Sequence, residues 1–213
     1  MASFQLSREI VQRANQQSRR LRELLHAPEI LVMPGAYDTL SAMFFEHLGF
    51  KAIQGTSGGI AATFGYHDGE VLPREEAVQV YRRMVDAASV PVNADGEKGY
   101  GGPSQVAETM RQLVQAGAAG MNLEDSDYRR QGQSLRLLDL SDQLEKIRAL
   151  MEAKRDLGSE FFLNARVDAF LTDMSAKDAL EDAIRRGNAY AQAGADCIFY
   201  IRAEGRETIR TLV

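Results

Sequence analysis

The chain has 213 residues, 45% hydrophobic and 26% charged, with 18 Gly, 5 Pro and a single Cys. That composition excludes disorder, a collagen repeat and a disulfide scaffold. With 30 acidic against 25 basic residues the net charge is −5, so no overall basic footprint for nucleic acid exists. No uninterrupted apolar run approaches the ~18 residues of a membrane span, and a lone thiol fits a reducing, cytoplasmic setting.

Residues 5–25 carry five Arg, as a mitochondrial targeting peptide would. Glu9 and Glu23 argue against one, because such peptides avoid acids. Leu6, Ile10, Val11, Leu21, Leu24 and Leu25 lie near a helical stripe, so an amphipathic helix over about 5–26 is expected. Short β-rich runs then alternate with long amphipathic stretches. Strands are expected at Ile30–Met33, Ala52–Gly55, Pro91–Asp95, Gly120–Glu124, Phe161–Arg166 and Cys197–Ile201. Helices are expected at Thr39–Leu48, Arg74–Ala88, Ser104–Ala116, Ser141–Leu157 and Ala176–Ala193, with Ser104 and Ser141 as N-caps. Gly49, Gly117 and Gly194 follow the last turn of three helices, where a left-handed residue turns the chain into a strand. Repeated helix–Gly–strand units describe βαβ structure and a parallel sheet.

Two architectures suit six such units, a doubly wound sheet and a (β/α)8 TIM barrel. The first strand is followed by Pro-Gly-Ala-Tyr-Asp in place of a dinucleotide-binding glycine fingerprint. A polar residue recurs at strand C-terminal ends: Asp38, Thr56, Asp95, Glu124 with Asp125, and Arg166 with Asp168. In a barrel those ends converge on one face, where active sites are built. The barrel is therefore expected, as one domain over 1–213 covering about six βα units. A closed barrel needs eight strands and ~250 residues, so further C-terminal units are expected to be missing.

Converging carboxylates repel one another and need a cation or protons to coexist. Asp68, Asp95, Glu97 and Glu124 form such a set, and hard oxygen ligands suit Mg²⁺ or Mn²⁺. The competing reading is that acids at strand ends cap the next helix; it suits Asp125 and Asp168 better than Asp95, which a Gly-rich loop separates from its helix. Thr56-Ser57-Gly58-Gly59 follows the second strand, where small residues let an anion approach backbone N–H groups, or else make only a tight turn. Arg166 would face the mouth and clamp a carboxylate or phosphonate, or else pair with Asp168 or Glu124. The connection Asp125–Leu138 exceeds the usual ~2–6 residues, which suggests a lid whose Arg129 and Arg130 reach toward an anionic substrate. Cys197 reads as a small core residue, His26 and His47 as surface residues, His67 as a surface-loop residue or one that touches substrate beside Asp68, and Lys98 as solvated or as a partner for the acids.

The segments PGAYDTLSA, AIQGTSGGIAATFGYHDGE, VPVNADGEKGYGG, AGMNLEDS and NARVDAFL together resemble, in order, the signature segments of the isocitrate lyase/phosphoenolpyruvate mutase superfamily. The resemblance runs from about Leu25 to the end of the chain. It implies a barrel of the phosphoenolpyruvate-binding type, a homo-oligomer that is commonly a tetramer, and Mg²⁺ with a small acidic substrate (a 2-oxo acid or its enolate) at the strand ends. It implies neither nucleic acid nor membrane as a partner. By position, Asp95 resembles the direct metal ligand, with Asp68, Glu97 and Glu124 acting on the metal through waters. Thr56, Ser57 and Gly58 resemble the loop holding one end of the substrate, and Arg166 the base holding the other.

Several positions depart from the family pattern. Glu97 stands where Asp is usual, and Gln54 where many members place an aromatic residue. The stretch DSDYRRQGQS has no Cys where the lyases carry a catalytic one, and Arg129-Arg130-Gln131 does not reproduce the mutase loop. Tyr200-Ile201-Arg202 replaces a more usual Pro-Gly or Glu-Gly. The expected activity is thus Mg²⁺-dependent making or breaking of a C–C or C–P bond beside a 2-oxo acid through an enolate. An oxaloacetate decarboxylase-like or phosphonopyruvate hydrolase-like reaction is favoured, since neither needs the Cys. The alternatives are a phosphonomutase-type isomerase and a non-catalytic binder of acidic metabolites.

Overall fold

The computed structural model describes residues 6–127 and 135–213. It opens with helix α1 (Arg8–Leu25), whose N-cap Ser7 accepts from the Ile10 N–H and whose Val11, Ala14, Leu21 and Leu24 are buried. Then come β1 (Gly35–Ala36), α2 (Thr39–His47), β2 (Ile53–Gly55), α3 (Ser57–Thr63), α4 (Arg74–Ala87), β3 (Val92–Asp95), α5 (Pro103–Ala116) and β4 (Gly120–Glu124). A small antiparallel pair, β5 (Ser126–Asp127) and β6 (Arg136–Leu137), precedes α6 (Leu140–Asp156). The chain continues through β7 (Phe162–Val167), a 3-10 turn (Ala169–Leu171), α7 (Ala176–Ala193), β8 (Cys197–Tyr200) and α8 (Arg206–Leu212).

Among the described residues the main sheet has six parallel strands in the order β1-β2-β3-β4-β7-β8. Each strand pairs with the next main-sheet strand along the chain, and the order never reverses. A doubly wound sheet requires a reversal, so this is the strand order of an α/β barrel.

Alternation along each strand sorts the side chains into two sets. One set, Ile53, Val92, Ala94, Met121, Leu123, Leu163, Ala165 and Val167, joins Tyr81, Met84, Val106, Met110, Leu113, Ile147 and Leu150 of α4, α5 and α6 in the main core. The other set is polar and layered. Gln54, Asn93, Asn122 and Asn164 are linked by side-chain hydrogen bonds of 2.8–2.9 Å. Two residues further along three of those strands stand Asp95, Glu124 and Arg166. At the opposite end α1 packs Leu21 and Leu24 against Ala52, Ala119 and Phe162, and the Ser18 hydroxyl lies 2.7 Å from the Ala119 carbonyl oxygen.

Three expectations need correction. The first strand lies at Gly35–Ala36 and not at Ile30–Met33. Ile30 is 89% exposed and Val32 60% exposed, and only Leu31 and Met33 of that run pack inward, on the cluster beneath α1; Pro34, which lacks an N–H, still accepts from Gln54 N–H at 3.0 Å. Ser104 and Ser141 lie inside their helices, whose N-caps are Gly102, followed by Pro103 at N1, and Asp139. The Thr56–Gly59 segment is more than a tight turn, because it begins α3, capped by the Thr56 hydroxyl. The glycines Gly49, Gly117 and Gly194 do have positive φ, as the turn into each strand requires.

Candidate active site

Asp95 ends β3 and is 8% exposed. Its Oδ2 accepts from the Ser57 hydroxyl at 2.9 Å and the Ser57 N–H at 3.3 Å, and its Oδ1 accepts from the Glu97 N–H at 3.2 Å. Burial pushes its carboxyl above the usual carboxylate range, while the Arg166 charge and the Ser57 bond pull the other way. Behind it the Tyr81 hydroxyl donates to the Asp95 carbonyl and accepts from the Asp95 N–H, both at 3.1 Å, fixing the strand end.

Glu97 sits two residues on, with φ +46°. Its Oε2 accepts the Glu70 N–H, and the Tyr100 hydroxyl lies 3.3 Å from its Oε1. Burial and the neighbouring Asp68, Asp95 and Glu70 charges raise its pKa to about 7. Glu70 returns the contact: its carboxylate accepts the Tyr100 N–H at 2.6 Å and pairs with the Lys98 ammonium at 3.8 Å. Asp68 is exposed on the same connection. A Cβ on Gly58 would lie 3.1 Å from the Asp68 Oδ2, close enough that this exposed carboxylate would have to shift by a few tenths of an ångström.

Glu124 ends β4 with no exposed surface. It accepts from the Ser126 hydroxyl at 3.0 Å and pairs with the Arg166 guanidinium. Register places Glu124 beside Arg166 on β7, and Arg166 also holds Asp168, with Nε to Oδ1 at 2.6 Å and Nη2 to Oδ2 at 3.3 Å. Acids from β3 and β4 and a base from β7 thus share one end of the sheet.

A family model described as phosphoenolpyruvate phosphomutase matches residues 21–213. The chain belongs to the isocitrate lyase/phosphoenolpyruvate mutase superfamily. It is 32% identical to 2,3-dimethylmalate lyase of Eubacterium barkeri over 197 residues, 91% of this chain and 66% of that protein. It is also 32% identical to 2-methylisocitrate lyase of Bacillus subtilis over 183 residues, 84% of this chain and 58% of that one. A solved structure of oxaloacetate acetylhydrolase with the inhibitor 3,3-difluorooxalacetate superposes with a TM-score of 0.82 at 32% identity, covering 92% of this chain and 67% of that one. The chain thus spans about two-thirds or less of the curated relatives named here.

Against this superfamily background, Asp95, Glu97, Glu124, Asp68 and Arg166 gather at the strand C-terminal ends. The Ser57 N–H and hydroxyl are turned to Asp95, so that part of the expected anion cradle is already engaged by a carboxylate. Arg129 and Arg130 lie outside the described residues; the ends of their connection form the β5–β6 pair. Among the described residues no three His, Cys, Asp or Glu side chains converge closely enough to grip an ion directly. The donor set fits instead a divalent ion that keeps most of its waters, as Mg²⁺ does. The electrostatic strain on Glu97 from Asp68, Asp95 and Glu70 is the disturbance that a hydrated cation would relieve.

Residue typing missed Tyr81 and Glu70, and it missed the surroundings of Asp125 and Gln54, which it had named. Tyr81 anchors Asp95 from α4, and Glu70 joins the Asp68 and Glu97 loops. Asp125 is fully buried, its pKa raised to about 6 by burial against the pull of Arg186. Gln54 faces Asn93 in the amide layer and donates to the Gly55 carbonyl at 2.8 Å. For Glu70 and Tyr81 no sequence signal existed, because each contact depends on a loop or helix folding back.

Proposed function

We propose that this protein is a Mg²⁺-dependent (or Mn²⁺-dependent) enzyme that breaks or makes a C–C or C–P bond adjacent to a 2-oxo acid through an enolate. The observation that carries the reading is the layer in which Arg166 lies against Glu124 and within electrostatic range of Asp95. A base and several acids at one barrel mouth suit a small dianionic substrate bridged to a cation. In this reading Asp95 is the direct metal ligand, Asp68, Glu97 and Glu124 act through waters, and Thr56, Ser57 and Gly58 meet one end of the substrate. When bound, the divalent ion supplies a Lewis acid that polarises the 2-oxo group.

Arg166 holds the carboxylate and balances charge as it develops on the carbonyl oxygen, an effect strongest where donors are already fixed in place. Asp168 fixes the guanidinium plane by its two-point contact. For an oxaloacetate-like substrate the bond to the departing carboxylate breaks and CO₂ leaves. The electron pair moves onto the oxo group as an enolate, which then takes a proton from water. The relatives named 2,3-dimethylmalate lyase and oxaloacetate acetylhydrolase support a substrate of this kind. The proposal extends to a homo-oligomer, a tetramer, in the cytoplasm; no described helix is long and apolar enough to cross a membrane.

Oxaloacetate consumption with and without Mg²⁺, beside calorimetric titration of oxalate, tests the reading. Metal-dependent turnover is the expected result. Tight oxalate binding without turnover of oxaloacetate or phosphonopyruvate would favour the non-catalytic alternative, and formation of phosphonopyruvate from phosphoenolpyruvate the isomerase alternative.

A further inference from the structure

A buried chain of polar contacts runs from α7 to the guanidinium of Arg166. Asp125, directly after β4, has no exposed surface. Its Oδ2 accepts the Tyr190 hydroxyl at 2.7 Å and the Arg186 Nη1 at 3.2 Å. Its Oδ1 accepts the backbone N–H of Asp168 at 2.9 Å. Asp168, equally buried, then grips Arg166 at two points. Arg186 is itself held by Asp182 at 2.7 Å and reaches the Leu138 carbonyl at 2.9 Å, at the foot of the β5–β6 pair.

A buried carboxylate between an Arg and a Tyr could serve only to join α7 to the sheet. Three features point further. Asp125 spends one oxygen on the backbone of Asp168, the residue whose carboxylate orients the Arg166 fork. The Arg166 head keeps only 12% of its side-chain surface exposed, so its orientation is set by these neighbours and not by solvent. The two middle links of the relay are next to site residues in the chain: Asp125 follows Glu124 directly, and Asp168 lies two residues beyond Arg166.

We infer that Tyr190 and Arg186 are positioning residues for Arg166, acting through Asp125 and Asp168 on the geometry with which the site takes up a small dicarboxylate. The inference rests on the proposed reading of Arg166 as the group that holds the substrate's carboxylate. A fork displaced by a fraction of an ångström loses two-point contact with a planar carboxylate while keeping its charge. The expected signature is therefore weaker anion binding with metal binding intact.

The test is calorimetric titration of oxalate into the full chain with Mg²⁺ present, and of Mg²⁺ alone, for the parent protein, Tyr190→Phe, Arg166→Lys and the double variant. Tyr190→Phe is expected to weaken oxalate binding about tenfold while Mg²⁺ affinity stays within about twofold of the parent and thermal unfolding remains cooperative. In the Arg166→Lys background the same change is expected to cost nothing further, because the group being positioned has gone. Arg186→Lys, which keeps the charge beside Asp125, is expected to retain more oxalate affinity than Arg186→Met; if the Met variant does not fold, the Tyr190→Phe cycle decides alone. Parent-like oxalate binding by Tyr190→Phe, or an equal loss in both backgrounds, would overturn the inference. Parent-like binding by Arg166→Lys would instead remove the reading of Arg166 on which it rests.

Discussion

The backbone N–H of Glu70 donates to the side-chain carboxylate of Glu97. Both residues have positive φ, +61° and +46°, a conformation that non-glycine residues adopt at a cost. Two loops thus hold each other in place through one carboxylate, which burial and neighbouring anions push to about 7. The unfolded value is 4.5. Between those values the folded chain binds a proton that the unfolded chain has released, so stability falls as pH rises from about 4.5 to about 7 and levels off above. Urea midpoints of the metal-free protein across that range should show a loss on the order of 1–3 kcal/mol. Glu97→Gln should flatten part of the slope, with Asp95 and Asp125 supplying the remainder in the same direction. A stability that rises with pH over this window would contradict the assignment.

Tyr81 offers a second test. Its hydroxyl serves both the carbonyl and the N–H of Asp95, and Tyr81 is only 2% exposed. Tyr81→Phe leaves two buried backbone groups without that partner, each costing ~1–3 kcal/mol when unsatisfied. Urea denaturation should register a loss of about 2 kcal/mol or more. Mg²⁺ affinity should fall as well, because the displaced strand end carries the proposed direct ligand. Loss of stability with unchanged Mg²⁺ binding would argue that Asp95 does not touch the metal.

Gly55 borders the same ring. A Cβ there would lie 2.2 Å from the Tyr81 Cε1 and 3.1 Å from its Cδ1 and Cζ. The Tyr81 ring is pinned at its far end by Asp95 and cannot withdraw without breaking those bonds. Gly55→Ala should therefore destabilise by ~1–3 kcal/mol or more, as overpacking does. The penalty should shrink in the Tyr81→Phe background, where the ring is released. Additive losses in the double variant would show that the ring is not held in the way the contacts indicate.

The parts of this protein that were legible in the sequence are those where burial alone decides the conformation. β2, β3, β4 and β7 alternate apolar with polar residues and β8 is an apolar run, each between turn signals, and α7 begins and ends where its periodicity and Gly194 place it. Edge and loop elements obey other rules. Ile30–Met33 is as apolar as a buried strand, yet it precedes the edge strand of the described sheet, with Leu31 and Met33 packed beneath α1 and Ile30 and Val32 exposed. The run Ser57–Thr63 contains two glycines, which cost ~1 kcal/mol each inside a helix, and forms α3 because Thr56 caps it and Ile60 and Ala61 are buried beneath. Asp95, Glu124 and Arg166 stood out because charged residues ending apolar strands are conspicuous. The relay behind Arg166 did not, since Asp125 and Tyr190 are 65 positions apart and only folding reveals their contact.

An isocitrate-type lyase must deliver a proton to the carboxylate-stabilised carbanion that leaves, and this requires a donor with a pKa near neutrality. In the stretch after β4, the Ser126 hydroxyl donates to Glu124 at 3.0 Å, and a hydroxyl so engaged is a poor acid toward carbon. Asp125, although raised to about 6, faces away into Tyr190 and Arg186. Glu97, raised to about 7, is in the proposed reading committed to the metal's waters and loses its proton beside a bound cation, and a guanidinium such as that of Arg166 is too weak an acid to serve. Loss of CO₂ escapes this requirement, because the leaving group needs no proton and the enolate can be quenched by water after release. Cleavage of isocitrate or 2-methylisocitrate should accordingly be negligible, while a small 2-oxo acid such as oxaloacetate turns over in a Mg²⁺-dependent manner. Coupled assays for glyoxylate and for pyruvate separate the two. Release of glyoxylate with succinate at an ordinary enzymatic rate, on the order of 1–10 s⁻¹, would mean that a proton donor outside Ser126 and Asp125 serves the leaving carbanion.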